Sequence, residues 1–141
     1  MKKGSVLVVG AHPDDYEIAA GMTISKMHAE GRHIVSVVCS RGEARAEDRM
    51  KEAEAAAKVL GIREVKFLDY NDTHFPEIGY IVRDLEQIAR ELKPEIVLTH
   101  TELDSHQDHR EIAYASKAAF RDVPQVLLYR SYSALKEFQP H

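Results

Sequence analysis

The feature that most limits the possible folds of this chain is a regular recurrence of short β-branched runs. They are Val6 to Val9, Ile34 to Cys39, Val65 to Leu68, Ile96 to Thr99 and Val126 to Tyr129, and their starts fall 28, 31, 31 and 30 residues apart. That interval suits strand-helix-strand units of about thirty residues. Within each run the apolar character is nearly continuous rather than alternating, which predicts strands covered on both faces and therefore a parallel sheet. The segments between them carry helical periodicity. Ile78, Ile81, Val82, Leu85, Ile88, Ala89 and Leu92 follow the i, i+3, i+4, i+7 pattern, and Ala46, Met50, Ala53, Ala57 and Leu60 make a second stripe. Ile18 to Ala29 reads as the first helix and Asp108 to Phe120 as the fourth, with Ile112, Ser116 and Ala119 on one face. Gly31 and Gly61 supply C-terminal stops, and Lys93-Pro94 ends the third helix just before its strand.

The expected architecture is a single α/β domain over residues 1–141. It is a doubly wound, Rossmann-like three-layer sandwich with a mostly parallel sheet of about five strands, order 3-2-1-4-5, and right-handed crossovers. At 141 residues, 44% hydrophobic and 30% charged, the chain is large enough to bury such a core. A formal charge of -4 without a basic block argues against nucleic acid as a partner. Apolar runs reach only about five residues, against the roughly twenty that a membrane helix needs, so no membrane role is expected. Met1-Lys2-Lys3 resembles the start of a secretory signal, but the apolar run after it breaks at His12-Pro13-Asp14, and the expected location is cytoplasmic. Cys39 is the only cysteine, which excludes an internal disulfide and a multi-cysteine zinc site. It reads as a small buried hydrophobe at a strand end.

Sheets of this kind bind ligands beyond the carboxyl ends of their strands, near the point where strand order reverses. Two polar turns fall at such ends. Ala11-His12-Pro13-Asp14-Asp15-Tyr16-Glu17 follows the first strand, and Asp104-Ser105-His106-Gln107-Asp108-His109 follows the fourth. Strands one and four are neighbours in the expected order, so the turns can meet. A catalytic zinc centre takes three protein ligands, imidazole or carboxylate, and keeps a fourth position for water. His12, Asp15 and His109 can supply that set. Asp14, next to a ligand yet spare, suits a general base. His106 suits stabilising an oxyanion or protonating a leaving amine, with Asp108 orienting it. Plainer readings exist: Pro13-Asp14-Asp15 and Asp108 can be helix caps, and a lone loop histidine is commonly solvated. The clustering of histidines and carboxylates in both turns, both at the ligand-binding edge, favours the metal. A dinucleotide site is disfavoured, because the first turn lacks G-x-G-x-x-G and its two carboxylates would repel a pyrophosphate.

The motifs His12-Pro13-Asp14-Asp15 and His106-Gln107-Asp108-His109 resemble the H-P-D-D and H-x-D-H signatures of the LmbE-like, or PIG-L, family of zinc-dependent de-N-acetylases. Tyr16-Glu17-Ile18 matches the H-P-D-D-x-E variant, and Ser40-Arg41-Gly42-Glu43 is similar to the family's T-x-G-E segment. Arg49 with Ala53, Leu60 and Gly61 resembles the helix that follows, and the likeness runs from about Val6 to Pro140. It implies zinc held by His12, Asp15 and His109, Asp14 as general base, and His106, supported by Asp108, at the oxyanion. The implied reaction is hydrolysis of an N-acyl amine, usually an N-acetylglucosamine derivative, to acetate and a free amine. The partner is then a small-molecule N-acetylated sugar or sugar conjugate.

Arg49 and Asp72 are the substrate-binding candidates that the resemblance adds, with an exposed helix charge and a turn aspartate as their plainer readings. Glu17 is expected in the outer shell of the site or at the start of its helix, while Asp104 and Tyr129 stay unassigned. Two histidines and a carboxylate also suit Fe2+. Family members continue past Phe138-Gln139-Pro140-His141 with a segment that helps wall the substrate groove, and another subunit, as in a homo-oligomer, is one way to complete it. His141 reads as a mobile terminus. Without that wall, the alternative is a non-catalytic metal-binding α/β module acting as a sensor or interaction protein.

Overall fold

Alternation of strand and helix governs the whole chain. The elements are β1 (Val6–Gly10), α1 (Asp15–Ala29), β2 (Ile34–Ser40), α2 (Ala46–Leu60), β3 (Glu64–Tyr70), α3 (Ile78–Leu92), β4 (Ile96–Thr99), α4 (Gln107–Ala119) and β5 (Gln125–Leu128). They belong to a computed structural model that describes residues 3–41 and 46–139. Gly42 and Glu43 of the T-x-G-E-like segment, and Pro140 and His141, lie outside the described residues. The sheet order is β3-β2-β1-β4-β5, as expected, and all four pairings are parallel.

Residues of opposite parity on each strand feed two cores. Leu7, Val9, Val35, Val37 and Val97 pack with Ile81, Leu85 and Ile88 of α3 and with Ile112 and Ala115 of α4. Val6, Val8, Ile34, Val38, Ile96 and Leu98 pack on the other face with Tyr16, Ala20 and Ile24 of α1 and Ala57 of α2. Each fully buried side chain of this size contributes about 1.5–3 kcal/mol of transfer free energy, so the central strands anchor both layers. Cys39 is buried in the first core, in keeping with its reading as a small hydrophobe. Among the described residues no helix is long and apolar enough to cross a membrane.

Two expectations need correction. Continuous apolar runs predict burial on both faces for every strand. This holds for β1, β2 and β4 but not for β3, where no residue is fully buried, nor for β5, where Val126 and Leu128 stay 39% and 45% exposed. Among the described residues β3 and β5 are the two outer strands of the sheet, each paired on one side, and hydrophobicity along a strand does not encode its place in the sheet. The first helix starts at Asp15 rather than Ile18. Its opening turn is polar and carries no apolar period. That turn is fixed by Asp14, which has a left-handed φ of 80° and whose N–H donates to Glu17 Oε2 at 2.8 Å.

Gly31 and Gly61 end α1 and α2 with φ of +88° and +85°. A Cβ at Gly61 would lie 2.1 Å from Cγ of His28, whereas one at Gly31 would meet nothing within 4 Å. Alanine at either position carries the left-handed penalty of about 1–2 kcal/mol. Urea unfolding is therefore expected to show Gly61→Ala as clearly less stable than Gly31→Ala. Equal losses would mean that His28 moves aside freely.

Candidate metal centre

Strand order reverses between β1 and β4, and the chain segments leaving these strands are tied together. The Ala11 N–H donates to Nε2 of His100 at 3.0 Å. The Tyr129 hydroxyl, just past β5, donates to the Val9 carbonyl at 2.6 Å and lies 3.1 Å from the same His100 nitrogen. Asp15, the first residue of α1, is buried at this junction. Its Oδ2 accepts the His12 N–H at 2.8 Å and lies 3.2 Å from His109 Nε2, 3.3 Å from His12 Nδ1 and 3.5 Å from His100 Nε2. Burial opposes charge on Asp15, but His100, His109 and His12 outweigh it and hold the carboxyl far below its usual range.

The two imidazoles nearest Asp15 each have an acid behind them. His12 Nε2 donates to Asp108 Oδ2 at 2.7 Å, which leaves Nδ1 facing Asp15. His109 Nδ1 lies 3.0 Å from Asp104 Oδ2, and its buried Nε2 faces Asp15 Oδ2 at 3.2 Å. One donor atom from each of His12, Asp15 and His109 lies within 4.8 Å of the others. Carboxylate-backed histidines are the usual outer arrangement around a bound metal. Two nitrogens and one carboxylate oxygen fit a divalent cation of the zinc type. In the metal-free protein, burial disfavours charge on His12, yet Asp108 and Asp15 prevail and raise its pKa to about 9.

The rings of His100, His109 and His106 stack in a column. Centroid separations are 4.1 Å and 4.6 Å, with interplanar angles of 19° and 16°. His106 forms the outer end of the column and caps α4. Its Nδ1 accepts the Asp108 N–H at 3.1 Å, which keeps the ring proton on Nε2. Burial, together with His109 and His12, lowers its pKa and favours the neutral ring. The Asp108 carboxylate is not on His106, where it was expected; it sits on His12 and accepts the Thr73 N–H at 2.9 Å. The reason is helical geometry: side chains two residues apart do not face each other, whereas an N-cap side chain does meet the N–H two residues on.

A cleft of about 370 Å³ opens over this cluster, with Asp14, Arg49, Asp72, Thr73, His106 and Tyr132 among its walls. Larger hollows of about 470 and 550 Å³ flank β5, but neither includes His12, Asp15 or His109. Asp14 is half-exposed, and its Oδ2 lies 3.0 Å from Arg49 Nη1. Arg49 therefore reaches the cleft through Asp14, and Asp72 accepts the Ser40 hydroxyl. Glu17 serves the start of its helix, as the Asp14 contact shows. His100, Asp104, Tyr129, Ser131 and Ser133 complete the cluster without having been assigned from the sequence. The only cue for Asp104 was its place in the second polar turn.

Fold and donor set together define an α/β protein of the doubly wound class with a histidine-carboxylate centre at its switch point. The PIG-L family, described as GlcNAc-PI de-N-acetylase, matches residues 7–120, and the chain belongs to that family. It is 32% identical over 148 residues to the uncharacterized deacetylase YaiS of Escherichia coli, covering 99% of this chain and 80% of that one. It is 28% identical over 123 residues to diacetylchitobiose deacetylase of Thermococcus kodakarensis, covering 77% of this chain and 46% of that one. The chain thus spans about half the length of that second relative. Among solved structures, GalB, the 4-carboxy-2-hydroxymuconate hydratase of Pseudomonas putida, is similar with a TM-score of 0.74 at 31% identity. The likeness covers 84% of this chain and 55% of that one.

Tyr129→Phe removes the hydroxyl that satisfies the buried Val9 carbonyl. The expected loss is about 1–3 kcal/mol of stability by urea unfolding with the secondary structure unchanged. A neutral result would show that another donor takes over the carbonyl.

Proposed function

We propose that this chain catalyses metal-dependent hydrolysis of an acetamide on a sugar, with an N-acetylglucosamine derivative as substrate and acetate and a free amine as products. The observation that carries this reading is the convergence of donors from His12, Asp15 and His109 beside a cleft whose wall holds both Asp14 and His106. The deacetylase names of two sequence relatives point to the same bond. Zinc held by His12, Asp15 and His109 would acidify a water and polarise the acetamide carbonyl, and Fe2+ suits the same donors.

The remaining work falls to the chain's own groups. Asp14, on the cleft wall, takes the proton as the water oxygen bonds to the carbonyl carbon. Arg49 fixes the direction of Asp14 from 3.0 Å away. His106, with Nδ1 engaged by the backbone, offers its Nε2–H to the oxygen on which negative charge collects. When the carbon–nitrogen bond breaks, the proton on Asp14 passes to the amine and acetate leaves. Asp108 acts through His12, whose ring it orients, and Asp72 with Arg49 frames the place of the sugar hydroxyls.

One observation favours a second reading, hydration of a carbon–carbon double bond: the 31% identity to a hydratase. Both reactions begin with an activated water, but only the first breaks a carbon–nitrogen bond. Acetate release from a panel of N-acetylglucosamine derivatives, with and without a chelator, separates them. Elemental analysis of protein purified without added metal identifies the ion. Asp14→Asn is the informative variant, because asparagine tolerates the left-handed backbone at this position. It is expected to bind as much metal as the wild type and to lose about 10²-fold or more in kcat. His109→Ala is expected to lose the metal. Full turnover by Asp14→Asn would remove the base assignment, and metal uptake without acetate from any N-acetyl sugar would favour the non-catalytic module.

A further inference from the structure

The segment just after β5 contributes to the centre from two sides. Ser131 Oγ donates to Asp104 Oδ2 at 2.6 Å, and Ser133 Oγ donates to Asp104 Oδ1 at 2.6 Å. The same carboxylate accepts the His106 N–H at 2.9 Å and lies 3.0 Å from Nδ1 of His109. Asp104 is buried, so with four donors both of its oxygens are fixed in direction. The backbone of the segment is fastened to the same loop. Ser105 N–H donates to the Ser133 carbonyl at 3.0 Å, Leu135 N–H donates to the Leu103 carbonyl at 2.9 Å, and Asp104 forms an antiparallel bridge with Ala134.

Tyr132, between the two serines, is turned the other way. It is 76% exposed, forms part of the cleft wall, and stands edge-on to the His109 ring with centroids 6.3 Å apart at 84°. Tyr132 and Ser133 are the central residues of a turn closed by the Ala134 N–H, which donates to the Ser131 carbonyl at 3.1 Å, and the turn sets the two serines and the aromatic ring on different sides.

We propose that Ser131 and Ser133 are positioning residues that act through Asp104 to fix the His109 ring for metal binding, while Tyr132 is the platform on which the N-acetylated sugar rests its apolar face. The platform half rests on the substrate class proposed above; the positioning half needs only that the centre binds a metal. A histidine whose second nitrogen meets an immobile carboxylate has its tautomer and its orientation set before the ion arrives. An exposed aromatic ring at the mouth of a polar cleft gains by covering its face with a ligand's C–H surface.

The test uses the whole chain and three readouts: zinc affinity by competition with a chromogenic chelator, far-UV circular dichroism, and kinetics of acetate release from an N-acetylglucosaminide. Ser131→Ala/Ser133→Ala is expected to keep its circular dichroism while binding zinc about 10–100-fold more weakly. Tyr132→Ala is expected to bind zinc as the wild type does and to raise KM about 3- to 10-fold with little change in kcat. Tyr132→Phe is expected to restore KM, since the ring and not the hydroxyl forms the platform. If the double variant does not fold, Ser133→Ala alone, at a half-buried position, carries the same comparison. Wild-type zinc affinity in the serine variants would overturn the positioning role, and an unchanged KM in Tyr132→Ala would overturn the platform. A wild-type protein that binds zinc but releases no acetate would overturn the proposed function together with the platform, and the serine comparison would still decide the positioning role. A wild-type protein that binds no zinc would overturn all of it.

Discussion

The buried carboxylate of Asp15 is the constraint on which the rest of the centre depends. A charge taken out of water must be answered by partners at close range or it drives the group to its neutral form. Here the answer is a backbone N–H and three imidazoles between 2.8 and 3.5 Å away. Those imidazoles come from the ends of two strands that are far apart in sequence. They reach one carboxylate only because β1 and β4 lie side by side, which is the consequence of the strand order reversing between them. The topology of the sheet and the electrostatics of a single side chain are thus one requirement seen at two scales.

The requirement spreads outward. Each imidazole that faces Asp15 most closely has its other nitrogen on a second acid, Asp108 for His12 and Asp104 for His109. Those acids need donors of their own, and they find them in loops beyond other strands. Thr73, after β3, serves Asp108, and Ser131 and Ser133, after β5, serve Asp104. The end of β2 joins through Ser40, whose N–H donates to the Ala11 carbonyl at 2.9 Å and whose hydroxyl holds Asp72. Every strand of the sheet therefore sends something to this one edge.

Much of the fold was legible in the chain because strand spacing and helical period are local properties. The thirty-residue rhythm sufficed for five strands alternating with helices, the order 3-2-1-4-5 followed from the usual winding of such sheets, and the glycines at 31 and 61 marked helix ends correctly. The edges were not legible: Val65 to Leu68 and Val126 to Leu128 read as buried strand residues, and nothing in their own neighbourhood tells an outer strand from a central one. In the site, His12, Asp15 and His109 could be named from two dense polar motifs, and their donor atoms do converge. Which acid serves which histidine could not be read, since Asp108 is two residues from His106 but ninety-six from His12, the ring it touches. Ser131 and Ser133 were invisible for a related reason. Two serines in a polar tail carry no signal until the loop that holds Asp104 lies across them.

The imidazole column of His100, His109 and His106 has a thermodynamic consequence for any ion that enters. Pressed between His100 and His106 at 4.1 and 4.6 Å, His109 has surrendered its rotamer freedom at the moment of folding. The entropy of arranging donors is then charged to the folding equilibrium and not to the binding one, which is the general advantage of a preorganised site. The same stacking makes the three rings interdependent, because a tilt of one must be absorbed by the other two.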